Sequence, residues 1–372
     1  MTHYTTRYAT LDGQFQQGID CRLEDAPVDI RFFRFTSTCD NGSRMKSELI
    51  PDYQIAENFS FEYPVFLPAG ARRFENCILL LHGLNERSWS KYLPWAESLC
   101  YHTGKPVILF PIAFHMNRAP LSWSSPRSLM ELLNFRRDLY HGDRTISHVN
   151  VALSDRITER PERFYLSGRQ TWDDLTALFE GIKTGRHPLF KEGSHVDIFA
   201  YSIGAFLSQV ALMTNRKGLF TDSKLFMFCG GSIFRSMQGT SRSILDKPAF
   251  EKLQHYYSHV FGREATPFWK RDNAFHAFFQ MISPDRFREE REAFFSGLGR
   301  RVRGIALAKD TVIPYHGILE ALGSKTGEAV IQLIDFDYSY THENPFPRNS
   351  KDTSAVNTAF QSVFFRAAAF LG

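Results

Sequence analysis

Short apolar runs alternate along the chain with stretches of helical periodicity, and this rhythm constrains the fold more than any other feature. Six runs are almost continuously apolar, which is typical of strands covered by helices on both faces of a sheet. They begin at Cys77, Pro106, Val196, Leu225, Val302 and Ala329. Two earlier runs, residues 30–36 and 59–66, alternate apolar with polar residues and predict antiparallel or edge strands. The whole pattern predicts an α/β fold with a mostly parallel central sheet flanked by helices.

Five helices are predicted between and after these runs. The stretch 89–102 is followed by Gly104 and Pro106, which are helix-terminating residues. Another stretch, 171–184, carries Asp173 and Asp174 in its first turn, where acidic side chains complement the helix dipole. The remaining predicted helices cover residues 203–214, 314–322 and 353–371.

Two long segments, residues 113–167 and 232–301, interrupt the alternation. Both exceed the ~2–6 residues of an ordinary connection, and both contain helical patterns of their own. We therefore expect one domain over residues 1–372 that carries two helical cap insertions, because the remainder has the size of one large α/β domain. The chain is 15% aromatic, and several dense phenylalanine clusters fall in the second insertion, where they could roof an apolar site.

Charge and cysteine content exclude several other classes of protein. A formal net charge of +4 over 372 residues does not predict a nucleic-acid-binding or membrane-binding face. The cysteines are odd in number, scattered and without a C-x-x-C pair, so neither a disulfide framework nor a metal site is expected. They are Cys21, Cys39, Cys77, Cys100 and Cys229. The chain lacks a signal-peptide pattern and an apolar stretch of ~18 residues, so we expect a cytoplasmic protein with a small-molecule substrate.

The segment that carries chemistry is the turn around Ser202. An apolar strand pattern from Val196 runs directly into this serine, and a helical pattern follows it immediately. Small residues, Ala200 and Gly204, stand two positions to either side, as a sharp strand–turn–helix connection that exposes a nucleophilic hydroxyl requires. Alanine at position 200 departs from the commoner glycine. The alternative interpretation is that Ser202 is a structural serine at a tight strand–helix turn.

A second strand end suggests an oxyanion hole. The apolar run from Ile78 ends in His82-Gly83, and Leu84 follows. In acyl-transfer sites a backbone N–H after such a glycine joins the N–H that follows the nucleophile to stabilise the oxyanion. We therefore assign the two donors to Leu84 and Ile203.

Two further strand ends carry an acid and a histidine. Asp310 lies just past the run from Val302, before Pro314 opens a helix, and His342 lies in the loop after the last strand. The resulting order of serine, acid and histidine differs from those of chymotrypsin-like and subtilisin-like proteases. Taken together at these strand ends, the motifs resemble those of the α/β-hydrolase superfamily, and the resemblance spans residues 30–371 without indicating a subfamily.

The resemblance implies a serine hydrolase mechanism that needs no metal or organic cofactor. Ser202 would attack a carbonyl carbon after His342 accepts its proton, and Asp310 would orient and stabilise the imidazole. Asp335 and Asp337 are rivals for the acid, but they lie on or just beyond a strand close to the histidine itself. His316 and His115 are rivals for the base.

Five residues are candidates for the substrate pocket: His82, His115, Asn117, Arg118 and Phe278. His82 has the alternative role of bracing the oxyanion turn, and His115 that of a structural residue. Asn117 and Arg118 have the alternative role of anchoring the first insertion. Phe278 belongs to an aromatic cluster that either packs the cap or lines a hydrophobic wall.

The sequence thus predicts a hydrolase of carboxylic esters with a hydrophobic acyl or alcohol group. Two alternatives remain open at this point. The same triad could serve an acyltransferase, a thioesterase or a small-peptide hydrolase. A catalytically silent protein of the same fold that binds a ligand is the other alternative, because fold does not determine function.

Overall fold

A computed structural model describes most of the chain. The described residues are 3–23, 25–38, 52–70, 73–264 and 271–372. Cys39 and residues 265–270 of the second predicted insertion lie outside them.

One nine-stranded mixed sheet organises the described residues. In chain order its strands are β1 Cys21–Arg22, β2 Val28–Thr36, β3 Ser60–Pro68, β4 Phe74–Leu81, β5 Val107–Leu109, β6 Phe190–Tyr201, β7 Leu225–Phe228, β8 Val302–Leu307 and β9 Ile331–Ile334. The spatial order is β1-β2-β3-β5-β4-β6-β7-β8-β9. The pairs β1/β2, β2/β3 and β3/β5 are antiparallel, whereas every pairing among β4 to β9 is parallel. The predicted mostly parallel sheet with antiparallel early strands is confirmed.

Helices cover the sheet and connect its strands. They are α1 Tyr4–Gln14, α2 Ala56–Phe59, α3 Leu93–Thr103, α4 Met130–Leu139, α5 Val151–Glu159, α6 Arg163–Lys183, α7 Ile203–Thr214, α8 Lys247–His255, α9 Phe261–Glu264, α10 Asn273–Gln280, α11 Arg288–Leu298, α12 Tyr315–Leu322, α13 Ser324–Val330 and α14 Thr353–Leu371. A π-helical turn, Tyr256–Val260, joins α8 to α9. None of the helices in the described part of the chain is long and apolar enough to cross a membrane.

The sheet separates two hydrophobic cores, because successive side chains of a strand point to opposite faces. Leu79 of β4 and Ile198 of β6 belong to the core that contains side chains of α6, α7 and the segment between β7 and β8. Ile78 and Phe199, their neighbours in sequence, belong to the core that contains α1, α3 and α14. Both faces of the central strands are therefore buried, which explains their nearly continuous apolar sequences.

Several element boundaries differ from the sequence-based expectations, and the start of one helix differs most. Helix α6 begins at Arg163 rather than at residue 171, so residue 167, where we expected the first insertion to end, lies inside this helix. Its first turn is held by the Arg163 guanidinium, which contacts Asp52 at 3.1 Å and Glu159 at 2.5 Å. Asp52 is 111 positions away in sequence, so local periodicity does not reveal this contact.

Buried histidines make the stability of this fold dependent on pH. Burial lowers the pKa of His187 to about 4. Its Nε2 lies 2.9 Å from the Tyr63 hydroxyl, and its Nδ1 accepts the Leu189 N–H at 3.2 Å. Protonation of Nδ1 would remove that acceptor.

We expect the free energy of unfolding to fall as the pH decreases from about 6.5 to 4, because the unfolded chain takes up protons that buried histidines exclude. The substitution His187→Phe should reduce the slope of the free energy of unfolding against pH by about 1.4 kcal/mol per pH unit, which corresponds to the uptake of close to one proton. Urea denaturation at several pH values measures the slope, and His148→Phe at an exposed position is the control. An unchanged slope in His187→Phe would contradict the assignment.

Candidate active site

Ser202 occupies a strained turn between β6 and α7. Its backbone has φ 55° and ψ −121°, a conformation that a residue with a side chain rarely adopts and that costs on the order of 1–3 kcal/mol. A Cβ at Gly204 would lie 2.8 Å from the Leu81 carbonyl oxygen and 2.9 Å from that of His82. Glycine is therefore required at position 204, whereas Ala200 is accommodated within the buried end of β6.

The three residues predicted for the triad are hydrogen-bonded in series. Ser202 Oγ lies 2.7 Å from His342 Nε2, and His342 Nδ1 lies 2.8 Å from Asp310 Oδ2. The exposed fractions of the three residues are only 4–5%, so little solvent competes for these bonds. In the tautomer that fits both contacts, Nδ1–H donates to the carboxylate and Nε2 accepts the serine hydroxyl proton.

The second oxygen of Asp310 determines how its carboxylate is oriented. Oδ1 accepts the backbone N–H groups of Val312 and Ile313, each at 2.9 Å. Both donors lie in the loop that follows β8. Cys229, which follows β7, is also close, and burial together with the Asp310 charge raises the pKa of its thiol well above the usual range. The thiol therefore stays protonated beside the carboxylate.

Tyr201 supports the histidine from the side. Its ring stacks on that of His342 with centroids 5.4 Å apart and planes 15° apart, and its hydroxyl donates to the His342 carbonyl oxygen. The Lys91 ammonium lies 4.6 Å from the centre of the same tyrosine ring and donates to the Glu343 carbonyl oxygen at 3.1 Å. These contacts hold the loop of the histidine against the end of β6.

The two residues predicted to supply the oxyanion donors, Leu84 and Ile203, line the same cavity as Ser202. In the described part of the chain, neither the Leu84 nor the Ile203 backbone N–H donates to another residue. The turn before Leu84 is held by Gly83 N–H, which donates to the Tyr92 hydroxyl at 3.0 Å, while this hydroxyl donates to Glu86 Oε1 at 2.9 Å. The backbone N–H groups of these two residues of the serine cavity are thus available to a ligand.

Two apolar cavities meet at Leu84 and Ile203, which line both of them. The serine cavity contains Ser202, and residues 232–301 contribute Phe234, Met237, Ile244, Leu245, Phe250 and Leu253. The distal cavity is lined by residues that include His115, Phe164, Tyr165, Trp172, Phe206 and Phe278. Both predicted insertions therefore contribute to the walls.

A wider polar cleft lies outside these cavities. This outer cleft is lined mainly by residues of the segments 84–91 and 338–352. It shares Leu84 with both cavities and Ile244 with the serine cavity. Charged residues on its walls include Glu86, Arg87, Lys91, Glu343 and Arg348. The cleft therefore adjoins the serine cavity.

Asp310 and His342, rather than their rivals, contact the rest of the triad. Asp335 accepts the Tyr340 hydroxyl at 2.8 Å and pairs with Lys309 at 3.1 Å. His316 is exposed on α12. Asp337, the remaining rival for the acid, makes no contact with His342 in the described part of the chain.

The candidates for the substrate pocket divide into cavity-lining and anchoring residues. His115 and Phe278 line the distal cavity. His82 braces the oxyanion turn, since Nδ1 lies 2.8 Å from the Gly83 oxygen and Nε2 accepts the Ile112 N–H at 2.9 Å.

Asn117 and Arg118 make contacts that anchor the first predicted insertion, which is the alternative role given for them above. Asn117 Nδ2 donates to the Glu62 carbonyl oxygen at 2.7 Å, and Arg118 pairs with Asp174 at 2.8 Å while donating to the Asn58 carbonyl oxygen. Arg118 is fully buried. We therefore do not retain either residue as a contact for the substrate.

Sequence reasoning did not single out Tyr201 or Arg87 for the site. Tyr201 is the variable residue of the Ala-Tyr-Ser-Ile-Gly turn, and a tyrosine there has no distinguishing pattern. Arg87 follows the oxyanion turn in a polar stretch. Its position three residues after Leu84 is the only local signal that could have indicated it.

Comparisons with known proteins agree with this architecture. The family model described as "Family of unknown function (DUF6051)" matches residues 40–372. No curated protein matches the chain. A mutant form of the esterase rPPE is similar in structure, with a TM-score of 0.53 and 10% identity, covering 99% of this chain and 90% of that one.

A second solved structure gives the same result. The thermostable esterase from Pseudomonas putida ECU1011 has a TM-score of 0.52 and 10% identity, again covering 99% of this chain and 90% of that one. At this identity the likeness shows the fold. The chain has the α/β-hydrolase fold, as the resemblance of its motifs implied.

The requirement for glycine at position 204 can be tested directly. We expect Gly204→Ala to destabilise the protein by about 1–3 kcal/mol, because its methyl group would overlap the Leu81 and His82 carbonyl oxygens. The control is Gly181→Ala in α6, where a methyl group meets nothing within 4 Å and should add about 0.5–1 kcal/mol. Chemical denaturation measures both. Equal stability of Gly204→Ala and the wild type would contradict the close packing.

Proposed function

We propose that this chain, which belongs to the DUF6051 family, is a serine hydrolase that cleaves carboxylic esters with a hydrophobic acyl or alcohol group. The observation that carries this proposal is the hydrogen-bonded series of Ser202, His342 and Asp310, with contacts of 2.7 and 2.8 Å. A serine hydroxyl within this distance of an imidazole, itself oriented by a carboxylate, is the arrangement of an activated nucleophile.

The first chemical step transfers the hydroxyl proton of Ser202 to His342 Nε2 while Oγ bonds to the ester carbonyl carbon. Asp310 stabilises the imidazolium that forms and keeps the ring in the required tautomer. The imidazolium then protonates the leaving alcohol as the carbon–oxygen bond breaks. Water attacks the remaining acyl-enzyme by the same route and releases the acid.

Two backbone donors stabilise the charge that develops during this step. The carbonyl oxygen of the substrate becomes an oxyanion in the tetrahedral intermediate, and the N–H groups of Leu84 and Ile203 are available to bind it. The buried surroundings strengthen these hydrogen bonds because little water screens them.

The apolar cavities support a substrate with a hydrophobic portion. Both are lined mainly by aliphatic and aromatic side chains and both adjoin the oxyanion donors, so one can take the acyl group and the other the alcohol. We further propose that segments 113–167 and 232–301 act as a composite cap, since aromatic residues from each segment face the cavities. Phe164 of the first and Phe278 of the second have ring centroids 6.3 Å apart.

Loss of the nucleophile or of the acid should abolish or sharply reduce ester hydrolysis. We expect Ser202→Ala to remove turnover of para-nitrophenyl butanoate and Asp310→Asn to lower kcat about 10⁴-fold, because the wrong imidazole tautomer is then favoured. Stopped-flow or steady-state release of para-nitrophenol measures both. A series from acetate to octanoate tests the size of the cavities.

Ser90→Ala is the matched control, because this serine lines the outer cleft without contacting the triad. It should retain the wild-type rate, and all variants should show the wild-type melting temperature within a few degrees. If Ser202→Ala hydrolyses these esters as fast as the wild type, the serine mechanism is wrong. If the folded wild type hydrolyses none of them, the silent binding protein becomes the better account.

A further inference from the structure

We infer that Arg87 binds an anionic group of the substrate, so that the natural ester carries a carboxylate or a similar oxyanion away from the scissile bond. This inference rests on the proposed function and narrows its substrate class. It starts from the contacts of one partly buried guanidinium in the outer cleft.

The hydrogen-bonding capacity of Arg87 is almost unused. Its Nη1 donates to the Trp123 carbonyl oxygen, and this is one of the five N–H groups that a guanidinium carries. No carboxylate in the described part of the chain lies within ion-pair distance of it. A guanidinium removed from water normally has such a partner, because burying a charge without one is costly.

Several buried arginines of the described residues have a carboxylate partner, and the fully buried Arg291 instead donates to six backbone carbonyl oxygens. Arg118 pairs with Asp174 at 2.8 Å, Arg136 with Asp246 at 2.5 Å and Arg156 with Asp52 at 2.8 Å. These pairs hold loops and helices together, as expected of structural arginines. Arg87 differs from them in position as well as in pairing, since it faces a cleft.

The pKa of Arg87 reflects a guanidinium that has lost part of its water without gaining a neighbouring negative charge. Burial lowers the pKa of its guanidinium to about 10, with no neighbouring carboxylate to raise it again. The group is still protonated at neutral pH. An anionic ligand would supply the missing counter-charge, and guanidinium matches carboxylate and phosphate geometry through paired N–H donors.

The position of Arg87 fits a contact with a bound ester. It lies three residues after Leu84 and lines the outer cleft that adjoins the oxyanion turn. The cleft shares Leu84 with both apolar cavities, so Arg87 lies on a cleft that is continuous with the wall of the serine cavity.

Nearby charges of the cleft have partners within the protein. Lys91 pairs with Glu86, and Glu343 accepts the Ser241 hydroxyl. Arg87 differs from these neighbours because its printed contact is to a backbone carbonyl oxygen and not to a side chain.

Matched pairs of charged and neutral esters test the inference. One pair, para-butanoyloxybenzoate and para-butanoyloxybenzamide, varies charge on the alcohol side; the other, the mono-para-nitrophenyl ester of adipic acid and its primary amide, varies it on the acyl side. We expect wild-type kcat/KM to favour the anion in at least one pair. Arg87→Gln should reduce that preference about 10–100-fold, mainly through KM, because a charged hydrogen bond is lost.

Two further variants distinguish a specific contact of the Arg87 guanidinium from a general electrostatic effect of positive charge in the cleft. Arg87→Lys keeps the charge but loses the paired donors, so it should retain part of the preference. Arg348→Gln removes the same charge from an exposed arginine of the same cleft, one that stacks on Tyr8 at 4.0 Å, and should change the preference less than twofold. Equal effects of Arg87→Gln and Arg348→Gln, or no effect of Arg87→Gln in either pair, would overturn the inference.

Binding measurements on a variant without the proposed nucleophile test the anion site separately from the proposed hydrolase activity. Isothermal titration of Ser202→Ala protein with para-butylbenzoate and para-butylbenzamide should show tighter binding of the anion, and the difference should disappear when Arg87→Gln is added. If neutral esters are hydrolysed but the anion has no advantage in rate or binding, the hydrolase stands and the anion site is wrong. If the anion binds through Arg87 but no ester is hydrolysed, the hydrolase is wrong and the anion site stands.

Discussion

The contact of Gly204 with the carbonyl oxygens of Leu81 and His82 brings the two halves of the site together. A Cβ at position 204 would lie 2.8 and 2.9 Å from these two oxygens, so only glycine allows α7 to begin directly against the end of β4. Ser202, two positions earlier, adopts the strained turn, and Leu84 and Ile203 line the serine cavity with it. The proposed nucleophile and the proposed oxyanion donors therefore lie at the ends of two neighbouring parallel strands that pack closely at Gly204.

The remaining parts of the site depend on contacts between loops at the carboxyl ends of these strands, which is where ligands bind in open α/β sheets. Asp310 is held by backbone donors after β8, and the histidine loop is held by Tyr201 and Lys91. Because Lys91 also pairs with Glu86, the histidine loop and the oxyanion turn share one support. Catalysis in this account relies on fixed positions rather than on an unusual residue type.

Local patterns predict the sheet and the turn at Ser202, since each depends on where a strand ends. The same patterns select Asp310 and His342, and in the structure these two residues are hydrogen-bonded in series with Ser202. Contacts between distant parts of the chain were not predictable in this way. From its sequence position Arg118 is a candidate contact for the substrate, but in the structure it pairs with Asp174, 56 positions away. Conversely, Arg87 became a candidate only when its lack of a carboxylate partner was visible, and sequence carries no signal for a missing partner.

The most direct test of the central claim is covalent labelling of the native protein with a fluorophosphonate, mapped by mass spectrometry of its peptides. The account predicts a single adduct on Ser202 Oγ, which is absent in Ser202→Ala and forms much more slowly in Asp310→Asn. A folded wild-type protein that stays unlabelled, or an adduct on a different residue, would contradict it.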